Sequence, residues 1–270
     1  MKNLLVIGAN GMLGYAVSEY YTRKGYTVTR LSRAEFDIAK DPIEKLEPLM
    51  SGKQMVINCA GVIKPMIATT PIEDVLKVNA IFPRNLAKLA ARLGVHCYHV
   101  TTDCVYSGKR GEYSEADMFD AEDVYGMSKN GGDNTDCMTL RTSIIGEEKG
   151  QSRSLLEWAR SNAGKPVNGF TNHRWNGVTT LYLAEVIETI ELRGLYEKGI
   201  FHIHSPNTVN KFELLSQIDQ AYHLNLKISA VEAKDRIDRN LASIHPLTGT
   251  VSVKTILQQL TEMEAFFRNR

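Results

Sequence analysis

The chain has 270 residues, 43% of them apolar and 23% charged, which gives ample apolar surface for one large core and excludes a dominantly disordered chain. With 32 basic and 31 acidic residues the net charge is +1, so there is no electrostatic footprint for a nucleic acid or an anionic membrane. No run approaches the ~20 apolar residues of a membrane span, Leu4 to Ile7 is too short for a signal-peptide core, and Cys59, Cys97, Cys104 and Cys137 form no C-x-x-C pair, so free thiols in a reducing, cytoplasmic setting are expected.

Leu4 to Ile7 reads as a buried strand, Met12 to Lys24 as a helix stopped by Gly25, Tyr26 to Leu31 as a second strand and Met55 to Cys59 as a third. Glu73 to Leu93 reads as a helix ended by Gly94, with a kink at Pro83. Cys97 to Thr101 and Met138 to Thr142 are further strands. Strands separated by helices predict right-handed βαβ units and an α/β fold, a doubly wound parallel sheet covered on both faces. After Gly146 the rhythm loosens. A helix at Ser154 to Ser161, a loop to Asn176, a helix at Leu181 to Arg193, a strand at Gly199 to His204 and a helix at Lys211 to Tyr222 follow. The predicted organisation is a dinucleotide-binding domain over residues 1–148, to which 177–195 returns. A small C-terminal substrate-binding lobe is built from 149–176 and 196–270, over the carboxyl ends of the strands.

Gly8-Ala9-Asn10-Gly11-Met12-Leu13-Gly14 lies between the first strand and the first helix. Gly8 permits a tight turn, Gly11 lets backbone approach a pyrophosphate, and Gly14 lets the helix pack close to the sheet. The helix N-terminus adds free N–H groups and a positive dipole end. The spacing is G-x-x-G-x-x-G rather than G-x-G-x-x-G, so its position between strand and helix carries the dinucleotide reading. The second strand ends Leu31-Ser32-Arg33, with no acid before Glu35. Arg33 and Ser32 suit a 2′-phosphate and favour NADP over NAD, although Arg33 also reads as a solvated surface charge.

Tyr125 and Lys129 are four apart and share a face if helical. A nearby ammonium lowers a phenol's pKa, which would fit the pair for proton transfer at a carbonyl or alcohol. Taken alone, the spacing is common. Thr102 falls at the carboxyl end of its strand, where its hydroxyl either holds a substrate oxygen or caps a turn. His202 and His204 alternate on a strand without a third ligand at metal-site spacing, so no metal is expected. His96 and His99 read as packed against a core strand. Trp175 reads equally as a lid ring that stacks on a base or sugar and as packing under its loop. Arg174 suits a diphosphate, while Lys149 to Arg153 and Arg236 to Arg239 read as solvated.

Taken in order and spacing, Gly8/Gly11/Gly14, Asn58-Cys59-Ala60-Gly61, Asn79, Thr102 and Tyr125/Lys129 resemble the extended short-chain dehydrogenase/reductase family over the whole chain. Thr102 to Gly108, Tyr125 to Lys129, Leu140 to Ser143 and Gly177 to Thr180 are similar to its dTDP-4-dehydrorhamnose reductase branch. The resemblance implies a Rossmann domain in which Gly8, Asn10, Gly11, Met12 and Leu13 line the pyrophosphate. Ser32 and Arg33 would meet the adenosine ribose or its phosphate, Asp37 and Ile38 would lie near the adenine, and Cys59, Ala60 and Gly61 would run along the cofactor. Thr102, Tyr125 and Lys129 would be the catalytic trio, with Lys129 on the nicotinamide ribose and Asn79 beneath its helix. Thr102, Arg174 and Trp175 are the residues expected to meet the sugar nucleotide.

The branch's usual aromatics are replaced by Cys104 and Ile144, its Gly-x-Pro-Thr element reads Gly177-Val178-Thr179-Thr180, and Arg239-Asn240 stands for its Arg-Pro pair. These departures lie on the sugar side or in the lid. Cys104 cannot replace the glutamate of the related dehydratases, and Ser32 is not the carboxylate of NAD-holding epimerases. The implied activity is NADP(H)-dependent reduction of a keto group, at C4, on a nucleotide-linked deoxysugar for surface polysaccharide or related biosynthesis, with NAD(H) as alternative cofactor. A homodimer formed through helices would suit the family. The alternatives are a non-catalytic NADP-binding regulatory subunit, like the β subunit of methionine adenosyltransferase, and a nucleotide-sugar epimerase.

Overall fold

Strands form here where apolar and β-branched residues run without interruption. In the computed structural model, which describes residues 2–150 and 154–268, six such runs make one parallel sheet. They are β1 (Asn3–Ile7), β2 (Thr27–Leu31), β3 (Met55–Asn58), β4 (His96–Thr102), β5 (Met138–Thr142) and β6 (Gly199–His202), in the spatial order β2-β1-β3-β4-β5-β6. Residues 151–153, part of the basic stretch Lys149 to Arg153, lie outside the described residues.

Residues of β3 and β5 are buried along their whole length; β3 accordingly opens with the apolar run Met55-Val56-Ile57, whereas β5 alternates, with Thr139 and Arg141 buried between Met138 and Leu140. The last strand corrects the predicted boundary. Gly199–His202 pairs with β5, setting Phe201 opposite Leu140, so this part of 196–270 belongs to the central sheet and not to the lobe. Its partner is far away in sequence, and Phe201 in the strand and Ile203 just after it join the main core.

The principal helices are α1 (Met12–Arg23), α2 (Phe82–Leu93), α3 (Val124–Gly132), α4 (Thr180–Leu192), α5 (Lys211–Tyr222) and α6 (Ile256–Arg268). Helix α4 packs on α1, where the Tyr20 hydroxyl donates to Glu188 at 2.5 Å. Helix α6 covers the same face, with Phe267 stacked on Tyr15 at 5.6 Å. It too leaves the region assigned to the lobe. The break expected at Pro83 takes the form of a π turn over Lys77–Ile81, between Ile72–Leu76 and α2. Proline has no N–H for the carbonyl four residues back, that of Asn79, and the wider turn accommodates the missing bond. The lobe is made of short pieces. Pro166–Phe170 pairs with Lys227–Val231, and His173–Trp175 lies between Val209–Asn210 and Ile237–Asp238.

A buried charge network ties β5 to β6. Arg141, only 1% exposed, donates to Asp133 at 3.2 and 2.8 Å, to the Tyr106 hydroxyl at 3.0 Å and to His202 Nε2 at 2.7 Å. A guanidinium can only donate, so His202 Nε2 accepts and the ring proton sits on Nδ1, 2.8 Å from the Ala242 carbonyl. Both ring nitrogens are therefore engaged in the core. Burial and the Arg141 charge push His202 down to about 4, against an upward pull from Glu115. The native state thus binds fewer protons than the unfolded chain between about pH 4 and 6.5. Stability should rise with pH across that window and be lost as pH falls through it, by at most about 3 kcal/mol. Urea unfolding at several pH values is expected to show this slope in the wild type and a shallower one in His202→Gln.

Candidate active site

Strand β1 has β2 on one side and β3 on the other, so the chain reverses its winding there and opens a crevice at the strands' carboxyl ends. Gly8 turns the chain with φ of +80°, and a Cβ on it would lie 2.8 Å from the Ala60 amide nitrogen. Gly14 packs still closer, since its Cβ would fall 2.2 Å from the Gly8 carbonyl oxygen. Helix α1 starts behind this turn with no side-chain cap and no acid in its first turn, which leaves its amides and dipole for an anion. The crevice encloses about 320 Å³. Gly8, Asn10, Gly11, Ser32, Arg33, Asp37, Ile38, Cys59, Ala60 and Gly61 line it, whereas Met12 and Leu13 do not. Leu13 is buried in the core beneath the helix start. Phe36, Val62, Met66 and Thr70 complete the walls. The sequence does not mark them, because isolated apolar and hydroxyl residues in connecting segments carry no motif.

The end of β2 is already occupied by carboxylates of its own loop. Glu35 accepts from the Ser32 amide at 2.8 Å and from the Ser32 hydroxyl, and both bonds hold its carboxyl below the usual range. Arg33 Nε lies 3.3 Å from Asp37. A 2′-phosphate meeting Ser32 and Arg33 has to compete with these local partners.

Thr102 ends β4. Its hydroxyl accepts from the Cys104 amide at 3.1 Å and donates to Asp103 at 3.2 Å, so it does cap the following turn. It also faces Tyr125, whose phenol it reaches through a hydrogen bond that favours ionisation. The two predicted roles are therefore compatible. Helix α3 is capped by Asp123, which accepts from the Gly126 amide at 2.8 Å. Its glycines, poor for propensity, are needed for packing: a Cβ on Gly126 would lie 2.4 Å from the Cys104 carbonyl oxygen, and one on Gly132 would lie 2.0 Å from that of Asn79.

The electrostatics correct one expectation. Tyr125 is held above the ordinary phenol range, first by burial and then by Cys104, and the Lys129 charge does not reverse this. The phenol is therefore protonated at neutral pH, the form of a proton donor. Lys129 is 5% exposed, and burial pushes its ammonium down. Among the described residues it makes no hydrogen bond or ion pair. Its Nζ would be 3.4 Å from a Cβ on Gly61, which places it behind that lining residue, while Thr102, Tyr125 and Lys129 do not themselves line the crevice. An unpaired buried ammonium beside an unhindered glycine wall fits a bound dinucleotide.

Asn79 joins these parts. Its amide donates to Ser128 Oγ and to the Val62 carbonyl, both at 3.0 Å, and its oxygen accepts from the Val62 amide at 2.8 Å. Arg239, assigned to solvent from the sequence, donates to the carbonyls of Tyr106 at 2.8 Å and Ser107 at 3.1 Å and so braces the turn after Thr102. Cys104, next to that turn, is pushed up to about 12 by burial. Trp175 is buried, and its Nε1 donates to Ser143 at 2.9 Å, which is the packing role of the two predicted for it. Arg174 lies 3.9 Å from Asp238 and borders a separate cavity with Arg110 and Arg236. Neither Arg174 nor Trp175 lines the crevice.

Residues 1–265 match the family model described as RmlD substrate binding domain. The chain belongs to that family. Among its relatives is the dTDP-4-dehydrorhamnose reductase of Aggregatibacter actinomycetemcomitans, 27% identical over 230 residues, which are 79% of this chain and 76% of that protein. Another is the methionine adenosyltransferase 2 subunit beta of Danio rerio, 24% identical over 249 residues, or 83% and 75% of the two chains. A solved dTDP-4-dehydrorhamnose reductase from Bacillus anthracis, in complex with NADP, superposes with a TM-score of 0.79 at 19% identity, covering 100% of this chain and 98% of that one.

The clamp made by Asn79 can be tested. Asn79→Ala strands the Val62 amide and carbonyl and removes one bond from Ser128 Oγ, at a cost of about 2 kcal/mol. The melting temperature should fall by roughly 4–8 °C, and fluorescence titration should show weaker NADPH binding.

Proposed function

We propose that the protein is an NADPH-dependent reductase of a keto group, at C4, on a deoxysugar linked to a nucleoside diphosphate, with NADH as alternative cofactor. The observation that carries this reading is the Thr102–Tyr125 pair beside the unpartnered Lys129 behind the crevice wall. Family membership and the named reductases among the relatives support the same reaction class.

When bound, the dinucleotide supplies the hydride for the carbonyl carbon. The chain's own residues handle the oxygen. The Thr102 hydroxyl hydrogen-bonds the carbonyl oxygen, which takes negative charge as the carbon is reduced. Tyr125, kept protonated by burial, gives its proton to that oxygen, and the product is an alcohol. The phenolate left behind is stabilised by the Lys129 ammonium and regains its proton from water. Gly8, Gly11 and the start of α1 would hold the pyrophosphate, and Ser32 and Arg33 the 2′-phosphate. Asp37 and Ile38 would flank the adenine, and Cys59 to Gly61 the remaining length.

The relation to a methionine adenosyltransferase β subunit keeps a regulatory role in view, and the two readings separate in one assay. NADPH oxidation at 340 nm, followed over a panel of nucleotide-linked 4-keto sugars, should depend on one of them and exceed that with NADH. Tyr125→Phe should bind NADPH as the wild type does and lose about 10²- to 10⁴-fold in turnover. Wild-type turnover in that variant would remove Tyr125 from the chemistry. NADPH binding without oxidation on any sugar nucleotide, together with a stable complex with a second enzyme, would favour the regulatory role.

We further propose a homodimer. Ile72 and Leu76, on the helix that precedes α2, and Val124 and Met127, on the adjoining α3, are exposed apolar residues on neighbouring elements. Sedimentation velocity should give twice the chain mass, and Met127→Glu should give the monomer. Four free cysteines, two of them buried, support a reducing cytoplasm, and no described helix is long and apolar enough to cross a membrane.

A further inference from the structure

Lys211 is the first residue of α5. It is mostly buried, and burial pushes its ammonium down. Among the described residues it makes no hydrogen bond or ion pair. Its Nζ lies over the Trp175 ring, 5.7 Å from the centroid, and the charge of Asp103 in the turn after Thr102 acts on it. Asp103 acts on Lys211 through its charge without forming an ion pair with it, and its carboxyl accepts from Thr102. A cation withdrawn from water without a partner is unfavourable and is relieved by an anionic ligand.

Behind Lys211 lies a second cavity of about 470 Å³, walled by Leu155, Trp158, Phe170 and Leu215. Its lining is apolar, and two of its aromatic rings are open to solvent, Trp158 at 40% and Phe170 at 38% exposure. Such a wall suits a flat ring. The lysine therefore borders an aromatic cavity on one side and acts on the catalytic turn on the other. A sugar nucleotide has matching parts in the same order: a planar base, a diphosphate, and the sugar to be reduced. Resting on the reductase reading above, we propose that Lys211 binds the substrate's diphosphate, with the base against Trp158 and Phe170 and the sugar extending to Thr102. Lysine suits this role as a compact charge with three rotatable donors.

The test is calorimetric titration of the full chain, saturated with NADP⁺, with dTDP, UDP, GDP and ADP, and with the matching nucleosides as phosphate-free controls. Lys211→Met should weaken the best-bound diphosphate by roughly 10- to 100-fold. Binding of its nucleoside and of NADP⁺ should be unchanged, and Lys211→Arg should restore most of the loss. The difference between wild type and Lys211→Met should shrink as salt is raised. Should the methionine variant fail to fold, Lys211→Gln takes its place. Equal diphosphate affinity in wild type and variant, with NADP⁺ binding intact, would overturn the assignment of Lys211 and leave the reductase reading standing. A wild type that binds NADP⁺ but none of the diphosphates would overturn both.

Discussion

Two contacts that leave no room for a side chain fix where the helix carrying Tyr125 and Lys129 lies. Gly126 faces the Cys104 carbonyl and Gly132 faces that of Asn79, so α3 is wedged between the turn after β4 and the helix that leads into α2. The second contact depends on Pro83. By withholding an N–H it frees the Asn79 carbonyl and widens the helix into a π turn, which α3 then approaches. The Asn79 side chain in turn binds Ser128 and both polar groups of Val62. A single proline thus links the backbone of one helix to the position of Tyr125 and Lys129 and to the crevice wall beside Gly61. Helix propensity would remove these glycines, and packing retains them.

Burial is the second organising effect, and it acts in opposite senses on the acid and on the cations. It keeps Tyr125 protonated and pushes Lys129 and Lys211 toward their neutral forms. Neither lysine forms an ion pair among the described residues: Lys129 lies beside Gly61 of the crevice lining, and Lys211 borders the aromatic cavity. Arg141 shows what the chain does with a buried cation that serves the fold: it surrounds it with Asp133, Tyr106 and His202. The contrast between the saturated arginine and the two unsaturated lysines separates structure from function within one core, because a buried charge left unpaired is unfavourable in the isolated protein and gains only when an anion arrives.

Much of this was legible in the sequence, for identifiable reasons. Strands β1 and β3 are buried on both faces and announce themselves as apolar runs, β4 and β5 are buried but carry polar residues among their apolar ones, and the glycine turn announces the crevice because close approach admits no other residue. Order and spacing single out Thr102, Tyr125 and Lys129, and the structure places the last two on one helix with Thr102 facing Tyr125. What was not legible depends on tertiary partners. Strand β6 is four residues long and gains its identity from β5, which lies 61 residues back in the sequence where Gly199 of β6 faces Met138 of β5. The Tyr125 acidity was misjudged because the sequence shows the lysine but not the desolvation. Lys211 looks like an ordinary first residue of a helix, and only the packing of Trp175 and the turn after Thr102 shows that it is withdrawn from water.

The choice between the two nicotinamide cofactors comes down to a local competition at the end of β2. Ser32 and Arg33 supply a hydroxyl, an amide and a guanidinium, the donors a 2′-phosphate needs. In the protein alone Glu35 takes the Ser32 donors and Asp37 takes Arg33 Nε. Arg33 is largely exposed, and its bond to Asp37 is of the surface kind, worth about 0–1 kcal/mol. Its remaining donors are therefore available to a phosphate at little expense. Ser32 is different, because accepting a phosphate there means turning Glu35 away and bringing a second negative charge close to Asp37. NADH, which carries hydroxyls in place of that phosphate, can leave Glu35 where it is. The sequence signal at this strand end is thus real but partial. Arg33 favours NADPH, the loop's own carboxylates oppose it, and the discrimination expected from the difference is smaller than an arginine without acidic neighbours would give.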